Sequence, residues 1–248
     1  MAFVHSKASV VYVNGVDLTT FLAKATSGKM VDKSDVSCFG ATYKSYLPGL
    51  TDAQLTLEGY FDGTASAITA QLEALLANDT ALFTLLPTGD AASNPGTSFV
   101  GWESSFQILS DITSAVKVQM TAESKTGAVP VIIGLPKTAF ATIATSNTST
   151  FDTATALTTN GGELHYHVFD QTGTGGPSIR VRWQTSPDGS TWTTIADSGV
   201  ITTTGAPSYG RVTVPVGTTI DVQSRIQTVR AGTTISAHAF AAVYRNPN

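Results

Sequence analysis

Alternation of apolar and polar residues is the main pattern along this 248-residue chain. The run from Leu55 to Phe61 alternates between the two classes, which predicts a half-buried strand because successive side chains of a strand point to opposite faces. An earlier run, Ala8 to Val13, ends at Asn14-Gly15, a dipeptide typical of tight hairpin turns. Similar runs predict strands over 21–26, 42–46, 81–86, 98–109 and 114–123, with the polar residues 32–35 separating the first two.

One segment of the first half follows a helical period instead. Its apolar residues recur at three- and four-residue spacing among polar ones, at Ile68, Leu72, Leu75 and Leu76. This spacing predicts one amphipathic α-helix, over about residues 64–78, that lies against the first sheet.

The second half returns to strand patterns. Strands are predicted over 162–169, 178–185, 192–196, 211–216, 220–228 and 236–244. Turn signals recur about every eight to twelve residues, which is typical of an antiparallel sandwich. One of them, Pro187-Asp188-Gly189, predicts a hairpin turn.

Charge usage changes near residue 127. Residues 1–127 contain seven Lys, no Arg and twelve acidic residues, a net charge of −5, whereas residues 128–248 contain one Lys, six Arg and six acidic residues, a net charge of +1. The change predicts two domains, 1–127 and 150–248, joined by a connector over 128–149. The expected fold class is mainly β: an N-terminal antiparallel β-sandwich or barrel with the flanking helix, followed by a C-terminal β-sandwich.

Composition favours a structural protein over an enzyme. Only 13% of the residues are charged, against a usual share of roughly 25%. Such a low share is typical of a protein whose surface is buried against neighbouring protein molecules, and equally of a secreted or particle-borne β protein. The sequence contains no GxxxxGK[ST], GxSxG or HExxH motif, so we expect no catalytic residues and no cofactor. No apolar run approaches the roughly 20 residues of a membrane helix, and no signal peptide is apparent, so we expect folding in a cytoplasm and no membrane partner.

A metal site is one hypothesis for Glu163, His165 and His167. Residues two apart on a strand share a face, so these three side chains would point the same way and could hold zinc. A tight site needs a further ligand that the sequence does not place. The alternative is that both histidines are surface or interface residues on a sheet face, and we favour it.

Trp183 and Trp192 flank the predicted hairpin and are candidate glycan contacts, because aromatic rings on a β-sandwich can stack on sugars. The alternative is cross-strand core packing, which we expect for at least one of them. We expect Arg180 and Arg182 to share a strand face in surface ion pairs or subunit contacts, and Cys38 to be a small buried residue.

Four pieces of the first half occur in an ordered series: Val13 to Leu18 (VNGVDL), Asp35 to Gly40 (DVSCFG), Leu47 to Leu50 (LPGL) and Leu55 to Asp62 (LTLEGYFD). Together they resemble the tail tube (major tail) proteins of long, non-contractile-tailed bacteriophages, which often read NGVDL[ST], DVTTFG, xPGL and LxGxFD in that order. Ser37-Cys38 stands where two threonines are commoner. The resemblance covers about residues 8–125, and the C-terminal half looks like the immunoglobulin-like or jelly-roll domains appended to such proteins.

The resemblance implies a virion protein assembled in the host bacterial cytoplasm. Six copies would join sheets edge to edge in a ring, rings would stack into the tail tube, and the C-terminal domain would lie on the outside. The implied partners are further copies of the chain, the tape measure protein inside the tube, and the tail tip and terminator proteins. DNA would pass through the lumen without specific binding, which suits an acidic first domain. The alternative function is a phage adhesin, decoration or baseplate module that binds host-surface glycan through the C-terminal sandwich.

Overall fold

The structure is a computed structural model that describes residues 6–38, 42–61, 72–73, 75–76, 78–110 and 115–247. A short 3₁₀ helix, Ser6–Ala8, opens the described part of the chain. The strands that follow are β1 (Val10–Val13), β2 (Val16–Asp17), β3 (Leu22–Asp35), β4 (Tyr46–Tyr60), β5 (Ala81–Leu86), β6 (Pro95–Leu109), β7 (Lys117–Ser124), β8 (Val129–Phe140), β9 (Thr145–Asn147), β10 (Asp152–Thr153), β11 (Gly162–Thr174), β12 (Ser178–Ser186), β13 (Thr193–Asp197), β14 (Ser208–Val214), β15 (Gln223–Ala231) and β16 (Thr234–Arg245).

The helix predicted over about 64–78 is not confirmed. Residues 62–71, 74 and 77 lie outside the described residues. Between the others, backbone hydrogen bonds run three residues back, from the Leu75 N–H to the Leu72 carbonyl at 2.9 Å and from the Asn78 N–H to the Leu75 carbonyl at 3.0 Å. Leu72 and Leu75 are buried, as expected for apolar positions of this segment. In the described part of the chain, no helix is long and apolar enough to cross a membrane.

The chain divides into two compact units whose boundaries differ from the predicted ones. Unit 1 combines Met1–Thr19, Leu82–Ser98 and Val129–Asn248, and unit 2 combines Thr20–Ala81 and Phe99–Ala128. Residues 128–149, interpreted as a connector, contain β8, which pairs with β16 and with the start of β6 inside unit 1. This division results from strand pairing between residues far apart in sequence, and local amino-acid composition does not predict such pairing. The assignment of 1–127 and 150–248 to a tube domain and a decoration domain stays a prediction.

Unit 1 is built from two antiparallel sheets. The first has the order β14-β11-β16-β8-β6-β5-β1-β2, with β5 and β6 contributing residues 82–86 and 95–98, and the second has the order β10-β15-β12-β13 with β9 also on β15. At the β1–β2 turn, Asn14 and Gly15 have φ values of 50° and 78°, the left-handed pair that a tight hairpin turn requires. The sequence signal at this dipeptide is therefore confirmed.

Strand β16, in the middle of the first sheet of unit 1, is buried on both faces. On β16, Ala239 and Val243 belong to the core cluster that also contains Val181 and Trp183 of the second sheet. Phe240, between them, packs in a separate cluster with residues of β1, β5 and β8. Burial on both faces explains why residues 237–243 are a nearly continuous apolar run, which alternation alone would not assign to a strand.

Unit 2 is an antiparallel sheet of β3, β4, β7 and the part of β6 after Ser98. Leu55 and Leu57 of β4 alternate with half-buried residues and lie in the interior, as do Val118 and Met120 of β7. The strand predicted from the alternation at 55–61 is confirmed. The prediction that residues 32–35 separate two strands is wrong, because they are the end of β3.

Candidate functional site

The longest exposed feature of unit 2 is the edge strand β3. It pairs with β4 from Leu22 to Asp35, and no other strand of the described chain pairs with it. None of its fourteen residues is buried. One side of β3 therefore presents unpaired backbone N–H and C=O groups over about 46 Å, with register irregularities between Leu22 and Lys24 and between Val31 and Lys33. Between these irregularities the edge is a template for pairing with another strand.

The distal half of the β3–β4 hairpin extends beyond the rest of the sheet. β7 covers β4 only from Gln54 to Tyr60, whereas the β3–β4 pairing continues to Asp35 and Tyr46. Residues 30–35 and 46–52 thus form a two-stranded segment, which we call the ribbon. Its apolar side chains Met30, Val31, Tyr46 and Leu47 are between 44% and 58% exposed.

Local contacts hold the end of the ribbon together. The Lys33 ammonium lies 4.8 Å from the centre of the Tyr46 ring, and the Val36 N–H donates to the Ser45 carbonyl at 2.9 Å. The Asp35 carboxylate accepts the Ser37 N–H at 2.9 Å, and this hydrogen bond lowers the pKa of Asp35. An isolated two-stranded ribbon is marginal in water, and its exposed apolar residues make it a candidate interaction surface.

Cys38 lies directly after this hairpin strand and is exposed, so the prediction that it is buried is wrong. The physical reason is its position: β3 has no layer packed over it, and the residues that continue it are exposed as well. The general tendency of cysteine to be buried does not apply where the backbone itself runs on the surface.

The predicted metal ligands lie in the interior of unit 1. Glu163, His165 and His167 share one face of β11, as predicted, and both imidazoles are fully buried. His167 Nδ1 accepts the Gly15 N–H at 3.0 Å, and its Nε2 lies 2.9 Å from Thr84 Oγ1.

The chain of polar groups continues from Thr84. Its Oγ1 is 3.0 Å from Ser98 Oγ, which is 2.6 Å from His165 Nδ1. His165 Nε2 lies 2.8 Å from Glu163 Oε2, and Arg211 donates to Glu163 Oε1 at 3.4 Å. We call this series, from Gly15 to Arg211, the polar chain.

One proton arrangement satisfies the polar chain with both histidines neutral. The Gly15 N–H can only donate, so His167 Nδ1 accepts and Nε2 carries the proton toward Thr84. The Thr84 hydroxyl then donates to Ser98, Ser98 donates to His165 Nδ1, and His165 Nε2 donates to the Glu163 carboxylate. Ser98 Oγ also lies 3.0 Å from the Phe83 carbonyl, but donating there would require His165 to be charged.

Burial supports the neutral state of both rings. Desolvation lowers the pKa of His167 to about 3, with a contribution from His165. Desolvation also lowers the pKa of His165, although the hydrogen bond to Glu163 acts in the opposite direction. For Glu163, burial raises the pKa, but the hydrogen bond from His165 and the nearby charges outweigh it, so the pKa lies below its ordinary value.

The same arrangement leaves no imidazole lone pair for a metal. In each ring one nitrogen accepts a hydrogen bond and the other carries a proton, whereas a metal ligand needs a free lone pair. Across the described ranges, no three His, Cys, Asp or Glu side chains are grouped as metal ligands. We interpret these residues as a satisfied polar interior, which neither alternative from the sequence had anticipated.

The two tryptophans have different environments. Trp183 is fully buried in the unit 1 core, so the expectation of core packing for at least one of the pair is confirmed. Trp192 is half-buried, donates from Nε1 to the Gly189 carbonyl at 3.1 Å, and has the Arg225 guanidinium 4.2 Å from its ring centre. Of the two, Trp192 is the one with an accessible ring, and Arg225 covers one face of it.

The hairpin turn at Asp188 and the ion pairs of Arg180 and Arg182 agree with the predictions made from the sequence. Asp188 Oδ1 accepts the N–H groups of Ser190 and Thr191 at 2.8 and 2.9 Å, and these bonds hold the pKa of Asp188 far below its usual range. Arg180 and Arg182 share a face of β12 and both bind Asp197. The prediction of a surface ion pair is confirmed.

Comparisons with known proteins give only distant similarities. No protein-family profile and no curated protein sequence matches the chain. Among solved structures, the cap of the anti-feeding prophage tube aligns at 12% identity over 53% of this chain and 93% of its own, with a TM-score of 0.42. A chain of the virion of a native gene transfer agent aligns at 10% identity, over 50% of this chain and 95% of its own, with a TM-score of 0.38.

The SPP1 Dit protein, from the hub adsorption apparatus of phages that infect Gram-positive bacteria, covers more of the chain. It aligns at 12% identity over 94% of this chain and 98% of its own, with a TM-score of 0.36. Likenesses of this size do not establish a family, so the function is argued below from the residues themselves.

Proposed function

We propose that this chain is a structural subunit of a bacteriophage tail that works by assembling with copies of itself. In finer terms, the copies form rings, six per ring as the sequence resemblance implies, and the rings stack into the tail tube. The C-terminal half would be displayed on the outer surface. Tape measure, tail tip and terminator proteins would be the other partners.

The free edge of β3 is the observation that carries this proposal. Natural proteins protect long edge strands with bulges, prolines, covering elements or inward charges, because an open edge recruits other strands. β3 runs for fourteen residues with none of them buried, and its partner strand covers only one side. An edge of this length is a liability for a monomer and an interface for a subunit that pairs with its neighbours.

Charge supports the role of a conduit. Residues 1–127 carry a net charge of −5, with twelve acidic residues against seven Lys and no Arg, so their overall charge repels phosphates. Because affinity for DNA comes largely from Lys and Arg contacts to phosphates, a wall with this charge would let DNA slide without binding it.

The test is the assembly state of the untagged protein, followed by light scattering and negative-stain electron microscopy over a concentration series. We expect rings or hollow tubes. Adding charge to the edge, with Ser27→Lys and Gly28→Lys, should block strand pairing. Gly28 has open space around the position of a Cβ, so the second substitution fits the fold.

The matched control adds the same two charges to an exposed loop of unit 1, with Thr203→Lys and Thr204→Lys. The control should assemble like the parent chain. Particles that remain single at every concentration would refute self-assembly, and an edge variant that assembles like the control would refute the role of β3.

A further inference from the structure

The second sheet of unit 1 has an outer face lined by polar side chains. Buried and half-buried residues alternate along most of β12 and β15, so the half-buried ones share the outer face. Arg182 of β12 stands opposite Asp197 of β13 and Gln227 of β15. It donates to the Asp197 carboxylate at 3.0 Å and to Gln227 Oε1 at 3.2 Å. These bonds hold its guanidinium in place on the outer face.

A second polar row lies two residues further along the same strands, about 7 Å away. Gln184 stands between Thr194 of β13 and Arg225 of β15. Its amide donates to Thr194 Oγ1 at 3.0 Å and accepts from Arg225 Nε at 2.9 Å. The Arg225 guanidinium in turn lies 4.2 Å from the centre of the Trp192 ring. We call this surface the arginine platform: Arg182, Gln184, Trp192, Arg225 and Gln227.

Arg225 keeps most of its hydrogen-bonding capacity for a ligand. Among the described residues, only its Nε group has an acceptor, whereas a guanidinium carries N–H donors on all three nitrogens. The N–H groups of its two terminal nitrogens are therefore available, and they have the spacing that binds a carboxylate through two parallel hydrogen bonds. Arg182 uses Nε and Nη1 in its own row and leaves Nη2 for a ligand. The platform thus offers fixed donors to an anion.

Charge on this face favours a negatively charged partner. Arg180 lies on the same face and binds the same carboxylate as Arg182, that of Asp197. With Arg225, these residues comprise three arginines and one aspartate, a net charge of +2. Asp188, in the adjoining hairpin, accepts the N–H groups of its own turn. The platform is therefore complementary in charge to an acidic ligand.

Trp192 adds an apolar ring beside these donors. The ring is half-buried, and its Nε1 donates to the Gly189 carbonyl at 3.1 Å, which fixes its orientation. An indole next to a guanidinium suits a sugar acid, because the C–H face of a sugar packs on an aromatic ring while its carboxylate binds the guanidinium. An inorganic anion would use only the arginine, and an apolar molecule would use only the ring.

We propose that the arginine platform binds the carboxylated sugars of an acidic polysaccharide, with a carboxylate on Arg225 and a sugar face on the Trp192 ring. The two polar rows extend across neighbouring strands on an open sheet face, so sugars within a long chain can bind as well as sugars at its ends. This binding activity goes beyond the proposed function, because the platform lies in unit 1 and the β3 edge lies in unit 2.

Titration of the full-length, fluorotryptophan-labelled protein followed by ¹⁹F NMR tests the inference. Trp192 reports on the platform, Trp183 on the core of unit 1 and Trp102 on unit 2. We expect oligogalacturonate, an oligomer of a carboxylated sugar, to shift the Trp192 resonance in a saturable way and to leave the other two in place. The fully methyl-esterified oligomer has the same sugar rings without the charge, and it should bind about tenfold more weakly or less.

A variant of the protein provides the complementary comparison. Arg225→Gln removes the guanidinium and should weaken the binding of oligogalacturonate by about tenfold or more. The matched control, Lys137→Gln, removes one positive charge from β8 in the first sheet of the same unit and should bind like the parent chain. An unchanged Trp183 resonance checks that each variant keeps the fold of unit 1, and the comparison of the two oligomers needs no variant.

Three results would overturn the inference. If neither oligogalacturonate nor oligomannuronate, a second sugar acid, shifts the Trp192 resonance, the platform is not a site for sugar acids. Equal affinity for the methyl-esterified oligomer would show that the carboxylate is not recognised. Equal affinity for polyglutamate, which has carboxylates and no sugar, would show only attraction between opposite charges. None of these results depends on whether the chain assembles, so the proposed function is tested separately.

Discussion

Glu103 should make unit 2 less stable as the pH rises. Its side chain is 2% exposed on β6, and within the described residues neither carboxyl oxygen has a hydrogen-bond partner. Burial without a compensating partner disfavours the charged form and raises its pKa from 4.5 to about 8. The folded chain therefore keeps this proton at pH 7, whereas the unfolded chain has released it.

The size of the effect follows from linkage. Between pH 4.5 and 8 the unfolded state binds fewer protons than the folded state, so the free energy of unfolding falls as the pH rises, by about 1.4 kcal/mol per pH unit. At pH 7 the free energy of unfolding is thus about 3 kcal/mol lower than at a pH where Glu103 is protonated in both the folded and the unfolded chain. The gain in the free energy of unfolding from Glu103→Met should be larger at pH 7 than at pH 4.5 by about that amount, and Glu103→Gln should abolish the pH dependence while keeping the shape.

The assay is urea denaturation of fluorotryptophan-labelled protein at several pH values between 5 and 8, followed by ¹⁹F NMR. Trp102, next to Glu103, reports on unit 2, and Trp183 reports on unit 1. The matched control is Glu123→Gln, the same substitution at a half-buried position of the neighbouring strand β7, against which the effect of Glu103→Gln is compared. If the Trp102 transition of Glu103→Gln falls with pH as steeply as that of the parent chain, the reasoning is refuted.

Three further predictions concern unit 1. Thr84→Val removes the middle of the polar chain and leaves a buried imidazole N–H unpaired, so the free energy of unfolding should fall by about 1–3 kcal/mol. Thr84→Ser keeps the hydroxyl and should change the free energy of unfolding little. Equal denaturation midpoints for the two variants would contradict this. The pKa of His167 is lowered to about 3, so below pH 6.5 the unfolded chain binds a proton at this residue that the folded chain does not bind. The free energy of unfolding of unit 1 should therefore fall by about 1.4 kcal/mol per pH unit as the pH falls. His167→Gln should flatten that dependence in acid denaturation followed at Trp183, and an unchanged slope would count against it. Arg225→Ala removes the guanidinium from the Trp192 ring and the hydrogen bond that Arg225 donates to Gln184 Oε1 at 2.9 Å. The change should shift the Trp192 ¹⁹F resonance but not that of Trp102, and it should lower the free energy of unfolding by about 1–3 kcal/mol. An unmoved Trp192 signal would mean that the contact is absent in solution.

Strands with at least one buried face were predictable, and the edge strand β3 was only partly so. β5 was predicted with its observed bounds, and β12 and β16 were predicted to within two residues at each end. For β11 the predicted first residue agrees with the structure, but the strand continues beyond the predicted last residue. Only 21–26 of β3 was predicted, because its continuation through residues 32–35 is solvated on both faces and shows no alternation for a periodicity argument to detect. The feature that carries the proposed function is thus the one with the weakest sequence signal.

The interior chemistry shows a different limit. Period-two geometry correctly put Glu163, His165 and His167 on one face, but it could not say what that face meets. The answer lies at Gly15, Thr84 and Ser98, between 67 and 152 residues away along the chain from the histidines they contact. Small polar residues at such separations give no local signal, and only the folded pairing of strands turns two apparent metal ligands into hydrogen-bonded core residues.

The two units differ in where their polar and apolar groups lie. In unit 1 the polar chain gives each imidazole nitrogen a partner, and Trp183 is sealed between two sheets. In unit 2 a long edge has no partner strand among the described residues, and the ribbon exposes apolar side chains on an unsupported pair of strands. At the other end of the sheet Tyr60, Phe61, Ile108 and Leu109 are exposed as well. Exposed edges and apolar surfaces of this kind favour association, so under the proposed function we expect the contacts between copies to form through unit 2. Substitutions that abolish assembly should therefore concentrate in unit 2, and equally exposed positions of unit 1 should tolerate the same changes.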